Sequence, residues 1–376
     1  MKERLTAFIE RGIKFPLPDT VWIGPEVSPD RFFPGSVIYP GCRLTGATLS
    51  IGPDNEIGRE GPVSIHECQT GRGVKLGGGF FDHVTLLDGV RVGAGAHLRF
   101  GTLLEEQCGL GMDVGFKQTV LMPWATTGSL VNFCDALLSG GTGPLNHSEI
   151  GSSFVHFNFT PRQDKATPSL FGDVTHAVFL DQPPVFLGGQ GGVVGPRRVA
   201  FGAILPAGSI LREDIAEAGL HNSRPLSKST SYHPAAPKDP GRIYRANLAY
   251  LGQLLALKQW YRLVRGIWMQ REKWQTFCHT GALMRIGEMR RERFGQLRKW
   301  LSGLPETFPE ESWEPRLRRI GELFETEPDP LEAAIRHELE TLRARDYLEA
   351  VREFSPHTVS ELKRRLTEAV QRVESA

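Results

Sequence analysis

The sequence predicts an all-β left-handed parallel β-helix, a solenoid of hexapeptide repeats, followed by an α-helical C-terminal domain. Three observations predict it. Aliphatic residues recur at every sixth position through the first part of the chain, most glycines lie in that part, and beyond a Ser/Pro-rich stretch the apolar spacing becomes helical.

The period of six is the primary signal. Leu86, Val92, Leu98, Leu104 and Leu110 follow without a break, as do Ile51, Ile57 and Val63, and Val193, Val199, Leu205 and Leu211. Neither a helix, with its repeat of about 3.6 residues, nor an alternating strand has this period. A triangular solenoid does: each face is a short strand, each corner a turn, and three hexapeptides close one coil. The aliphatic residue then points inward and stacks on its equivalents in neighbouring coils. Glycine follows it at Ile51-Gly52, Ile57-Gly58, Val92-Gly93, Leu110-Gly111 and Ile150-Gly151, where it is expected to take backbone angles denied to other residues. The competing fold is a β-sandwich with glycine turns, whose strands favour alternation and do not hold a spacing of six over five repeats.

The elements follow in order. Residues 1–20 are expected to cap the first coil, because an open coil end leaves strand edges unpaired. The solenoid occupies 21–222, and residues 1–240 hold 34 of the 42 glycines. A linker covers 223–241, rich in Ser and Pro with few apolar residues. The helical domain occupies 242–376 and is expected to cover the other end of the solenoid. Leu248, Leu251, Leu255, Trp260, Leu263, Val264, Ile267 and Trp268 recur at helical spacing, with no proline between Pro240 and Pro305. Further helices are predicted over 313–326, 330–353 and 358–374, with breaks at Pro328, Pro330 and Pro356. Residues 242–300 carry thirteen Lys/Arg against three Asp/Glu, and 301–376 carry eleven against seventeen, so the two halves are expected to pack with complementary charge. The basic half, interleaved with Trp260, Trp268, Trp274 and Trp300, has instead the composition to grip phosphates or nucleic acid.

Composition bounds the function. A formal net charge of +1 gives no footprint for a wholesale nucleic-acid role, and nucleic acid is not expected as the partner. Five cysteines stand singly, with no zinc or disulfide spacing; they read as buried thiols in a reducing compartment, with no metal signature. The N-terminus is charged and lacks a signal-peptide core, and no window approaches a membrane span. The expectation is a cytoplasmic protein with no membrane partner.

Chemistry is expected in the insertion 157–173, whose polar and charged side chains leave a rigid scaffold. Here Ile150-Gly151, Asn158-Phe159, Lys165, Thr167 and Phe171-Gly172-Asp173 stand in an order that resembles the acetyltransferase half of the bifunctional bacterial enzyme making UDP-N-acetylglucosamine, within the trimeric hexapeptide transferases. The stretch 199–212 is similar to that family's closing coils. The resemblance, over roughly 85–215, implies acetyl-CoA or another acyl-CoA as cofactor and a sugar phosphate or nucleotide sugar as substrate. It also implies a homotrimer with its site at the cleft between subunits, where Asn158 and Lys165 contact substrate or coenzyme. The family's catalytic histidine stretch has no counterpart, since 131–144 contains no histidine, and the family's Tyr after Asn is Phe159.

A base must therefore come from elsewhere, and histidine suits near neutral pH. His147 and His156 flank the coil leading into the insertion and are the catalytic candidates. His156 lies six residues after Ile150, which also fits an inward core position; His147 sits in a turn-like segment that also fits plain solvent exposure. His176 is a further candidate of the same kind. Asp164 either orients a histidine or pairs with Lys165. The glycine-rich run 187–198 ends in Arg197 and Arg198, which with backbone N–H groups suit a phosphate, although tight solenoid corners need the same glycines. The reading is a transferase-like protein of amino-sugar or nucleotide-sugar metabolism with CoA-dependent acyl transfer. Its alternative is a non-catalytic scaffold that binds a sugar nucleotide.

Overall fold

The computed structural model describes residues 2–158, 160–161, 166–223, 229, 239–304 and 313–376. The first part is a parallel β-solenoid of about 11 turns. Helix α1 (Lys2–Glu10) precedes it, packing Phe8 edge-on against Phe32 of the first coil, ring centroids 4.8 Å apart. Strands of two to seven residues form a 10-stranded sheet along one face and a 16-stranded sheet covering the other two. The two rows of the larger sheet join through Gly115–Leu121 and Asn132–Leu138, which bend around a corner.

The period of six maps onto successive faces. Leu86 pairs with Leu104 on one face, Val92 with Leu110 on the next and Leu98 with Phe116 on the third. Each points inward and is 7% exposed or less. Stacked aliphatics of this kind contribute about 1.5–3 kcal/mol each, and the column extends from Phe8 to Ile215.

The glycines behave differently from the expectation. Gly52, Gly93, Gly111 and Gly151 are not in the left-handed region; of the five pairs only Gly58 is, at φ 89°. What excludes a side chain at the others is the neighbouring coil. A Cβ on Gly52 would lie 2.3 Å from the Gly71 carbonyl oxygen, and one on Gly111 would lie 2.5 Å from Ser129 N. The left-handed positions fall at the corners and are often not glycine: one corner column carries Glu67, His83, Gln118, Asp135 and His156, with φ between 49° and 63°.

Helix α2 (Val174–Ala177) interrupts the solenoid. The C-terminal helices are α3 (Pro240–Trp260), continuing through a π-helical turn (Tyr261–Arg265) into α4 (Gly266–Trp268), then α5 (Lys273–Leu301), α6 (Trp313–Glu325), α7 (Ala333–Leu342), α8 (Tyr347–Val351) and α9 (Pro356–Ser375). The single helix predicted over 330–353 is thus two. Asp346 accepts from Leu348 N and caps a new start without any proline.

These helices lie along the flank of the solenoid rather than over its end. On the flank the outward-pointing residues Gln69, Thr85, Leu103, Val120, Leu137 and Leu170 stand in register. The four apolar ones merge with the helices into one hydrophobic cluster. At Gly281, α5 comes so close that a Cβ would lie 2.2 Å from Gln69 Oε1. Complementary charge joins the helical halves at Arg290–Glu325 (2.6 Å) and Arg262–Glu327 (3.2 Å). Other basic side chains turn to the solenoid instead: Arg265 grips Glu106 through two bonds of 3.0 and 2.5 Å, and Arg293 lies 3.6 Å from Asp135. Of the four tryptophans in the basic half, Trp260, Trp268 and Trp274 are buried and serve this packing, while Trp300 packs against the same cluster half-buried. All five cysteines are free and buried. Among the described residues no helix is long and apolar enough to cross a membrane.

Candidate functional site

His156 occupies a corner and is 5% exposed. Its Nδ1 lies 2.6 Å from the Cys134 carbonyl oxygen and its Nε2 lies 2.6 Å from Ser169 Oγ. A carbonyl only accepts, so Nδ1 carries the proton and Nε2 accepts from the serine hydroxyl. Ser169 Oγ in turn accepts from Arg197 N at 2.9 Å. A base holding a hydroxyl has the polarity of a nucleophilic pair, but Ser169 is 1% exposed. A Cβ on Gly195 would meet the ring at 2.2 Å. As placed, His156 braces three strands and has no free ring nitrogen.

His147 lies in a hairpin, Gly141–Gly143 with Asn146–His147, that leaves the solenoid at another corner. It is half-buried, and its Nδ1 donates to the Pro144 carbonyl at 2.8 Å. Asn158 is exposed at the start of the insertion. Asp164 and Lys165 lie outside the described residues.

The two arginines separate. Arg197 is buried, its Nη1 donating to the Pro196 carbonyl at 2.7 Å, and Arg242 donates to the same oxygen at 2.8 Å. Burial first, and the facing Arg242 second, lower the Arg197 guanidinium to about 10. Arg198 points the other way and pairs with Glu374 of α9 at 3.1 Å.

Arg198 opens onto a cleft of about 460 Å³ between the solenoid and helix α9, lined by Asp173, His176, Phe201, Gln253 and Glu374 among others. The local sequence explains the geometry. Gly172 turns at φ 74°, where a Cβ would strike the Phe201 ring at 2.3 Å. Asp173 then caps α2, its Oδ1 accepting from His176 N at 2.9 Å and from Thr175 Oγ1 at 2.8 Å. The same oxygen lies 2.8 Å from His176 Nδ1. Val174 N donates to Gln253 Oε1 of α3 at 2.8 Å, which holds α2 against the helical region. The carboxylate thus sets the tautomer that leaves His176 Nε2 unprotonated and directed away from the cap. An oriented imidazole beside an arginine in a cleft can take a proton from an amine or hydroxyl of an anionic ligand.

The structure therefore brings together Arg198, Asp173 and His176, and separately His156, Arg197 and Ser169. His147 belongs to neither group. Gln253 and Glu374 carried no signal in the sequence, because they reach the cleft from helices that follow it in the chain.

No family model matches the chain. It is similar to curated proteins named bifunctional protein GlmU. To that of Thermotoga maritima it is 27% identical over 230 residues, 60% of this chain and 46% of the relative. To that of Nitratidesulfovibrio vulgaris (strain DP4) it is 27% identical over 237 residues, 61% and 45%. To that of Trichlorobacter lovleyi it is 27% identical over 214 residues, 57% and 41%. The chain spans less than half the length of these relatives. With its β-solenoid, it is a hexapeptide-repeat relative of GlmU.

Proposed function

We propose that this chain is a transferase of amino-sugar or nucleotide-sugar metabolism, moving an acyl group from a coenzyme A thioester to a sugar phosphate in the cleft between the solenoid and α9. The observation that carries this reading is the Asp173–His176 pair facing Arg198, in a chain similar to GlmU. His176 removes the proton from the attacking amine or hydroxyl, Asp173 orients the ring, and Arg198 exchanges Glu374 for the ligand's phosphate. The insertion residues Asn158, Asp164 and Lys165 follow in the same reading as substrate or coenzyme contacts. The working form is a cytoplasmic homotrimer of solenoid 21–222 with helical domain 242–376.

A non-catalytic sugar-nucleotide-binding scaffold is the second reading, favoured by the engagement of both His156 nitrogens. A thermal-shift screen against acetyl-CoA, amino-sugar phosphates and UDP-sugars separates the two, since a ligand of the folded state must raise its stability. Acyl transfer requires a shift with acetyl-CoA and acceptor-dependent release of free CoA. It also requires His176→Asn to lower kcat by about 10²–10⁴-fold. Shifts from UDP-sugars alone leave the scaffold reading, and silence across the panel removes both.

A further inference from the structure

The corner column that faces α5 carries a second cluster, remote in sequence from the cleft. His66 ends one strand (Val63–His66) and Asp82 ends the strand paired with it (Gly79–Asp82), so His66 and Asp82 are register partners. His83 follows at the corner with φ 52°. One donor atom from each of the three lies within 4.8 Å of the others, and all three side chains are half-buried.

The hydrogen bonds around the cluster prepare it for a metal. The Thr45 hydroxyl donates to the Ile65 carbonyl at 3.2 Å and lies 2.9 Å from His66 Nδ1, which it can accept from. His83 Nδ1 lies 2.7 Å from Asp82 Oδ1. Both rings are thus held through Nδ1–H, which leaves each Nε2 with a lone pair, as metal-bound imidazoles require. The second Asp82 oxygen remains as a third donor. Asp82 and His83 open onto a cavity of about 500 Å³ lined also by Phe100, Glu288, Arg291 and Glu292. On the facing helix Glu288 pairs with Arg285 at 3.0 Å and Glu292 with Lys117 at 3.3 Å, so the negative charge available to a cation is that of Asp82.

We propose that His66, Asp82 and His83 bind a zinc-class divalent cation whose fourth position, held by water, faces the cavity between the solenoid corner and α5. Two imidazoles and a carboxylate suit zinc, with donors at about 2.0–2.2 Å. Around such an ion neighbouring donors stand about 3.4 Å apart, so the side chains close by roughly an ångström on binding. The ion ties together two adjacent coils where α5 crosses them, and the site is independent of the transferase reading.

The test uses the tag-free full chain, stripped with a chelator and titrated with Zn²⁺. One equivalent retained after desalting and a raised melting temperature are expected. Co²⁺ should give the visible d–d bands of low-coordinate nitrogen and oxygen ligation. His66→Asn with His83→Asn should retain no zinc, while His97→Asn, at an exposed solenoid position, should retain one equivalent. Asp82→Asn, the milder change should the double variant not fold, should weaken binding at least ~10-fold and shift the cobalt bands. Substoichiometric zinc in the unsubstituted chain, or one equivalent kept by the folded double variant or bound unchanged by Asp82→Asn, overturns the proposal.

Discussion

At the scale of single residues, the solenoid is most sensitive where coils approach closely. Gly111→Ala places a Cβ 2.5 Å from a backbone nitrogen and should cost about 1–3 kcal/mol in urea unfolding. Gly115→Ala, which meets nothing within 4 Å, should be close to neutral. Asp88 shows how burial makes stability depend on pH. Its carboxyl is pushed up to about 7, mainly by burial and further by Glu106, against the opposing Arg72 and Arg265. The folded chain therefore holds this proton more tightly than the unfolded chain does. The stabilisation is complete below about pH 4 and is lost as pH rises to about 7. Asp88→Asn should flatten the fall in melting temperature across that window and be the more stable form at pH 8. His156 poses a sharper question. As a brace, its replacement by Ala removes the bonds to the Cys134 carbonyl and the Ser169 hydroxyl and should cost about 1–3 kcal/mol. As a base, its loss should lower turnover in protein whose unfolding curve is unchanged. Measuring both separates the roles.

At the scale of elements, the flank row of Leu103, Val120, Leu137 and Leu170 turns a solenoid face into the floor of a helical domain. Leu137→Ala should cost about 2–5 kcal/mol. Leu137→Asp should detach helices, read as a rise in dye binding and in cleavage within 240–304 while the β signal persists. The π-turn at Tyr261–Arg265 aims two side chains at the solenoid corner. Tyr261 donates to Glu105 at 2.7 Å, and Arg265 holds Glu106 while lying 4.0 Å over the Tyr347 ring. Removing Arg265 leaves a shielded carboxylate without its partner and should cost about 3–5 kcal/mol, checked by denaturant titration of Arg265→Ala.

At the scale of the whole molecule, one flank is occupied by the chain's own helices, which leaves the remaining surface for other copies. Trp22, Phe80 and Phe154 are exposed on one outer face, at 41%, 37% and 57%. A trimer should show three times the chain mass by light scattering, and Phe154→Lys should return it to single chains if that face is the contact. A monomer at every concentration would remove the homotrimer from the functional reading.

The sequence by itself determined the solenoid, because a repeat of six with inward aliphatics is a local pattern that one coil after another satisfies. It also determined that helices follow, from their spacing and composition. Where those helices dock was decided only by the tertiary structure. The outward residues at Leu103, Val120 and Leu137 are separated by seventeen positions, and only coiling lines them up. The same reason hides both clusters. His66 and Asp82 are partners through a register between coils, and Arg198 meets Glu374 across 176 residues. The conformation of glycine was misread for a related cause: the constraint on Gly52 comes from the coil beside it, a neighbour that no local sequence window contains.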